Sequence, residues 1–262
     1  RALDLDSSGG PLWRRRMERA FDEATGLMAV WAQRHRSEVD SVERAGGGSV
    51  LDRLVGQDPD ALETEVRARN LALIFRLAIG DLASLLNWVL TMLSADPTWP
   101  AEVRKRPSGA GAVEPPADIA TRVVFETLRL EQSEYLYRTV AHPFEFEGYS
   151  IPAGGLVRVC VQESHRDPEI FENPTVFDPG RFVGRMPSRR QYSPFGADEH
   201  GCMGVSMVHY FGRIFVEELC DGFDWRVVRD GPLDRGTRHR HHWKPSATRR
   251  IVLEKRPVEA SA

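Results

Sequence analysis

The sequence has little that would mark a secreted, nucleic-acid-binding or membrane-spanning protein. Its 3 cysteines, Cys160, Cys202 and Cys220, form neither a CxxC pair nor an even disulfide framework, which favours a reducing compartment. The net charge of −3 does not indicate a nucleic-acid partner. Arg76 and Asp81 interrupt the most apolar stretch, so no run reaches the roughly 18 residues of a membrane span. We therefore expect a cytoplasmic protein without a membrane segment.

The residue pattern predicts helices first and short strands later. Helices are predicted over residues 63–94, 118–130 and 204–221, short strands within 137–159, and a basic, loop-rich tail at the end. Residues 71–93 are apolar on most faces of the first helix, which indicates a helix buried through a core. We expect one domain over residues 1–262, mainly α-helical with a small β component.

The most informative segment is a glycine-punctuated loop that carries Cys202 just before a predicted helix. Phe195, Gly196, His200 and Gly204 accompany this cysteine. Glycines let a backbone approach a flat macrocycle closely, and N–H groups at a helix start stabilise a sulfur anion. A thiolate ligand to haem iron needs this arrangement, and His200 could place a donor near a haem propionate. The alternative is a structural cysteine on an ordinary turn.

This loop resembles the cysteine loop of the cytochrome P-450 superfamily, Phe-Gly-x-Gly-x-Arg/His-x-Cys-x-Gly. It departs only at Asp198, which stands where the family has its second glycine. The resemblance implies a member of bacterial type with heme b as cofactor and Cys202 as the axial thiolate of its iron. It also implies supporting roles for Phe195, Gly196 and Gly204 in the haem-binding loop.

Two further motifs extend the resemblance toward the N-terminus. Glu126 and Arg129 match the family's Glu-x-x-Arg helix, although an i,i+3 pair alone is usually an exposed ion pair worth about 0.3–0.5 kcal/mol. By resemblance, Arg181 joins them in a buried ionic cluster that braces the proximal side of the haem. Arg138 matches the arginine that binds a haem propionate, alongside His200.

The resemblance has two gaps. Family members are far longer, so we expect a helical haem domain that is incomplete at its N-terminal side. The upstream half would be lost, absent or in a partner chain, and the alternative is a shortened descendant of the family.

The long helix also lacks the family's adjacent acid and threonine, because Gly80 and Asp81, or Ala83 and Ser84, align there. We expect Asp81, shielded by Leu77, Leu82 and Leu85, to relay protons instead; the alternative is a capped or water-bridged polar residue.

Three classes of function follow from the resemblance. The first is a monooxygenase that hydroxylates or couples a small-molecule or carrier-bound substrate. It would use dioxygen and electrons from a separate ferredoxin and reductase, since the chain shows no flavin or iron–sulfur module. The second is a haem-thiolate peroxygenase, isomerase or dehydratase, which needs no acid–alcohol pair. The third is a non-catalytic haem-binding or partner-recruiting domain.

Overall fold

The computed structural model describes residues 64–106, 118–131, 135–196, 201–229 and 249–257, together with helical positions at 15, 19, 22, 23, 25 and 26. The chain divides into two compact units, Arg1–Gly80 and Asp81–Ala262. Their boundary falls inside the longest helix. Each unit is therefore described by itself, and the expectation of a single domain stays a prediction.

The described residues contain a long helix, two helices of intermediate length and several short helical segments. The bounds are α1 (Thr64–Ala95), α2 (Thr98–Arg104), α3 (Ile119–Glu131), α4 (Val161–Ser164) and α5 (Val205–Gly222), with a 3₁₀ turn at Pro179–Phe182. The three predicted helices are confirmed as α1, α3 and α5, and α2 is an additional helix. Asp118 begins α3 because its carboxylate accepts the N–H groups of Ala120 and Thr121 at 2.8 and 3.1 Å.

Among the described residues, the strands form three antiparallel pairs. The bounds are β1 (Tyr135–Thr139), β2 (Phe144–Phe146), β3 (Tyr149–Ile151), β4 (Leu156–Cys160), β5 (Phe223–Arg229) and β6 (Arg250–Lys255). Strand β1 pairs with β4, β2 with β3 and β5 with β6. Glu147 and Gly148 join β2 to β3 with φ values of 49° and 78°, as a two-residue hairpin turn requires. The β5–β6 pair corrects the expectation of a loop-rich tail.

The unit of residues 81–262 has a helical core. The buried side chains of α1, α2, α3 and α5 that form it are Leu85, Val89, Leu93, Val103, Ala120, Val123, Val124, Leu128, Val216, Leu219 and Cys220. A smaller cluster lies beside it, made of Phe125, Phe171, Phe182 and Tyr192. Phe125 projects from α3, Phe171 and Phe182 come from the segment before the cysteine loop, and Tyr192 is the first residue of that loop. The cluster therefore fixes this part of the chain against α3.

Burial along α1 changes near its middle. Leu85, Val89 and Leu93 are buried, whereas Phe75 and Leu77 are 57% and 55% exposed. The expectation that residues 71–93 are buried throughout is therefore wrong for the earlier part of the helix. An apolar composition indicates that a helix tends to be buried, but it does not show which surface covers the helix.

Helix α1 also meets the length and composition expected of a membrane span. The stretch Ala72–Ala95 has a mean hydropathy of 1.6. One such helix is weak evidence, because the core helix of a soluble protein has the same properties. The absence of a membrane segment accordingly stays a prediction.

Candidate functional site

Cys202 lies just before the first turn of α5, with its side chain accessible. Its Sγ accepts the N–H of Gly204 at 3.3 Å, and its own N–H donates to the carbonyl of Phe195 at 2.9 Å. The first contact holds the sulfur beside the amino end of α5, where the helix favours negative charge. The second contact closes the loop across residues 195–202. The thiol is thus held in place while remaining open to a ligand.

The other two cysteines are less accessible than Cys202. Cys202 is exposed, Cys160 is half-buried and Cys220 is buried in the helical core. Burial raises the pKa of the Cys220 thiol to about 11, which keeps it protonated near neutral pH. Among the three, Cys202 has the exposure that a metal-ligand thiolate requires.

Glycine and aromatic residues shape the two ends of the cysteine loop. Gly196 has a φ of 75°, in the left-handed region that a side chain disfavours. Phe195 is half-buried, and its ring centroid lies 5.2 Å from that of His209 on α5. At the other end, a Cβ on Gly204 would lie 3.6 Å from the sulfur of Cys202. The loop is anchored by Phe195 and needs a glycine at position 196.

The remaining predicted site residues are not gathered around Cys202 by any contact that the structure describes. His200 lies outside the described residues. Arg138 is exposed on β1, and its Nη1 donates to the carbonyl of Tyr137 at 2.8 Å. Asp81 is exposed on α1, and Leu77 is 55% exposed, so the shielding expected for Asp81 is wrong in the described residues. Leu85, one turn further, instead packs into the helical core.

The structure brings Glu126, Arg129 and Arg181 into one ionic cluster. Arg129 donates to both carboxylate oxygens of Glu126, from Nε at 2.7 Å and from Nη2 at 2.8 Å. Arg181 donates from its Nε to Oε1 of Glu126 at 2.9 Å. The side chains of Glu126 and Arg129 are 0% exposed, and that of Arg181 is 11% exposed. An exposed surface pair is therefore excluded for Glu126 and Arg129.

All the hydrogen-bonding capacity of the Arg129 guanidinium is used. Three of its five N–H groups donate to backbone carbonyls: those of His165 and Pro174 at 2.7 Å and that of Val176 at 3.2 Å. The other two donate to Glu126. A buried charge is tolerated only when its partners replace water in this way. Arg129 consequently ties α3 to the segment that precedes the cysteine loop.

His165 and Tyr192 are site residues that the sequence analysis missed. His165 Nε2 accepts the N–H of Ser193 at 2.9 Å, and the hydroxyl of Tyr192 donates to the carbonyl of Phe125 at 2.9 Å. Burial, reinforced by the charge of Glu126, raises the pKa of Tyr192, so this hydroxyl stays protonated. The sequence offers a weak signal, since His165 opens a His-Arg-Asp-Pro turn and Tyr192 opens the cysteine loop.

Comparisons with known proteins agree with this geometry. The family model described as Cytochrome P450 matches residues 10–239. The chain belongs to the cytochrome P450 family. This confirms the resemblance drawn from the cysteine loop.

Relatives of this cytochrome P450 include enzymes and solved haem domains. It is 27% identical over 242 residues to abscisic acid 8'-hydroxylase 1 of Arabidopsis thaliana, an alignment that covers 82% of this chain and 48% of that protein. The cytochrome P450DA heme domain matches with a TM-score of 0.72 at 22% identity, covering 90% of this chain and 55% of that one. Cytochrome P450EX alpha with myristic acid matches with a TM-score of 0.71 at 20% identity, covering 97% and 60%. These likenesses confirm the mainly helical cytochrome P450 fold.

The chain spans about half the length of the curated relatives it matches, 48% for the Arabidopsis enzyme. The cofactor of this family is haem whose iron has a cysteine thiolate ligand. The donor set fits such a group, because Cys202 offers one accessible sulfur at a helix start. Within the described residues, no cluster of three or more His, Cys, Asp or Glu side chains is placed to hold a metal ion by itself.

Proposed function

We propose that this chain supplies the cysteine-ligand side of a haem-thiolate monooxygenase that hydroxylates or couples a small-molecule or carrier-bound substrate. The observation that carries the proposal is the accessible Cys202 sulfur, held by the Gly204 N–H at 3.3 Å beside the amino end of α5. The name of the Arabidopsis relative, a hydroxylase, supports hydroxylation as the outcome. When bound, a thiolate-ligated haem supplies dioxygen activation, because electron release from sulfur favours O–O cleavage.

The residues of this chain have separate tasks in the proposal. Cys202 binds iron, and the Gly204 N–H orients the sulfur and stabilises its negative charge. Arg138 and His200 bind the haem propionates. Glu126, Arg129 and Arg181 form the buried cluster that holds the segment before the loop in place. Electrons come from a separate ferredoxin and reductase, and the protein is cytoplasmic.

The ligand assignment is tested by the reduced carbon monoxide difference spectrum. Wild-type protein loaded with haem should absorb at the thiolate-specific wavelength, and Cys202→Ser should abolish that absorption. Cys160→Ser and Cys220→Ser should retain it, because these sulfurs are half-buried and buried. Loss of the signal in Cys160→Ser with its retention in Cys202→Ser would refute the assignment.

A second candidate function is a haem-thiolate peroxygenase, isomerase or dehydratase that starts from a peroxide and needs no acid–alcohol pair. The observation that favours it is the lack of an adjacent acid and threonine on α1, where Gly80, Asp81, Ala83 and Ser84 stand. Turnover with hydroperoxide and none with NAD(P)H and redox partners would support this candidate over the first.

Under the first candidate we assign proton delivery to Asp81. Asp81→Asn should retain haem and fold, because the side chain is exposed and the volume is unchanged. Electron consumption should uncouple from product and release hydrogen peroxide, since general acid catalysis contributes about 10²–10⁴-fold. The measurement is the ratio of product to NAD(P)H consumed. Full coupling in Asp81→Asn would remove this role.

A further inference from the structure

His165 is a buried side chain that the proposed reaction does not use directly. It follows α4 and is 0% exposed. Its carbonyl accepts Nη1 of Arg129 at 2.7 Å, and its Nε2 accepts the N–H of Ser193 at 2.9 Å. One residue therefore contacts both the ion cluster and the start of the cysteine loop.

The contact with Ser193 fixes the protonation state of the imidazole. A ring nitrogen that accepts an N–H carries no hydrogen, so the neutral ring has its hydrogen on Nδ1. That Nδ1 is buried and has no hydrogen-bond partner among the described residues. Burial, and then the nearby charge of Arg129, lowers the pKa of His165 to about 4. The imidazole is neutral at physiological pH.

Hydrogen bonds continue from Ser193 into the loop. The carbonyl of Ser193 accepts the N–H of Gly196 at 3.0 Å, and the carbonyl of Phe195 accepts the N–H of Cys202 at 2.9 Å. Tyr192, next to Ser193, lies with its ring centroid 5.3 Å from that of His165. The backbone of Ser193 is thus held from both its amide and its carbonyl side.

We propose that neutral His165 is a positioning residue that fixes the start of the cysteine loop by accepting the Ser193 N–H, and so couples the loop to the buried Glu126–Arg129 ion pair. Its consequence for haem rests on the proposed function, whereas its consequence for the loop does not. The acceptor at Nε2, rather than the bulk of the ring, is the part of His165 that performs this task.

The test compares two amide side chains of different length at position 165. In His165→Gln an amide oxygen reaches the place of Nε2, whereas in His165→Asn the side chain ends near the place of Nδ1. Amide hydrogen exchange of Ser193 should accelerate about tenfold or more in His165→Asn and change less than about threefold in His165→Gln. Affinity for haem should weaken in His165→Asn and be restored in His165→Gln.

Gln162 provides the matched control within α4. It is 4% exposed, and its Nε2 donates to the carbonyl of Leu130 at 3.0 Å, away from the loop. Gln162→Leu should destabilise the fold and leave Ser193 exchange unchanged relative to the core amides. Equal acceleration in Gln162→Leu would show a general loss of stability and overturn the proposal. Unchanged exchange in His165→Asn, or equally fast exchange in both His165 variants, would overturn it as well.

A measurement on the wild-type chain decides the matter if the variants do not fold. Nitrogen NMR should show His165 with its hydrogen on Nδ1 and a coupling across the hydrogen bond from the Ser193 N–H to Nε2. A hydrogen on Nε2 would overturn the proposal. Absence of haem binding in wild-type protein would refute the proposed function, while the exchange and NMR results would still decide the role of His165.

Discussion

Two regions of the molecule reverse the usual relation between polarity and burial. The ion cluster around Arg129 buries charged side chains, and the first half of α1 exposes apolar ones. Arg129 and Glu126 are charged and 0% exposed, whereas Phe75 and Leu77 are apolar and more than half exposed. The charged pair is stable in its position because neighbouring backbone and Arg181 replace water around it. The partners described for the Glu126–Arg129 pair all lie within the unit of residues 81–262, so the burial of this pair does not depend on the first half of α1.

The largest effect should come from removing a charge from the cluster. Glu126→Gln keeps the shape of the side chain but leaves the Arg129 guanidinium without its buried counter-ion. We expect a loss of about 3–5 kcal/mol in the free energy of unfolding, measured by urea denaturation.

A second pair with the same spacing provides the control. Lys105 Nζ lies 2.7 Å from Oε1 of Glu102, three residues away, and these side chains are 70% and 45% exposed. Glu102→Gln should change the free energy of unfolding by less than about 0.5 kcal/mol. Similar losses in Glu102→Gln and Glu126→Gln would remove the energetic distinction between the buried and the exposed pair.

The sequence predicts those features that depend on local pattern. Helices α1, α3 and α5 were predicted to within one residue at each end, since their apolar spacing and flanking residues are local. The pairing of β5 with β6 was missed because it joins positions far apart, such as Phe223 and Lys255. Contacts of this kind depend on the whole fold and leave only a weak local signal.

The same distinction applies to the candidate site. Cys202 and the Glu126–Arg129 pair belong to short motifs, so the resemblance identified them. His165 was missed because its contact with Ser193 spans 28 positions of chain and uses a backbone donor that every residue except proline possesses. A side chain that binds a backbone group thus leaves no complementary residue type for a sequence pattern to reveal.

The second prediction compares two leucines of α1. Leu93 is 1% exposed and packs in the helical core, whereas Leu77 is 55% exposed. Leu93→Ala should lower the free energy of unfolding by about 2–5 kcal/mol, because it leaves a cavity. Leu77→Ala should stay within about 0.5 kcal/mol. Equal losses in urea denaturation would mean that both halves of α1 are covered in solution, contrary to the difference in burial between Leu93 and Leu77.

The smallest effect concerns pH and acts through His165. Its pKa is about 4 in the folded chain because burial and then the charge of Arg129 disfavour the imidazolium, whose ring also lies against Tyr192. The unfolded chain, with a histidine pKa of about 6.5, binds the proton first as pH falls. Stability contributed by neutral His165 is therefore complete above pH 6.5 and is lost as pH falls toward 4.

Loss of this contribution should reduce the free energy of unfolding by about 2 kcal/mol as pH falls from 7 to 5. Burial also lowers the pKa of His209, which adds a loss of the same sign, so the measurement has to isolate His165. His165→Gln cannot titrate and should lose less stability over this range than wild type, while His209→Gln should retain the His165 contribution. Identical pH profiles for wild type and His165→Gln would show that the imidazole takes up its proton without loss of the folded state. That result would mean that the ion cluster tolerates the positive charge of the His165 imidazolium beside Arg129. The partners seen around Arg129 would then not be a fixed set.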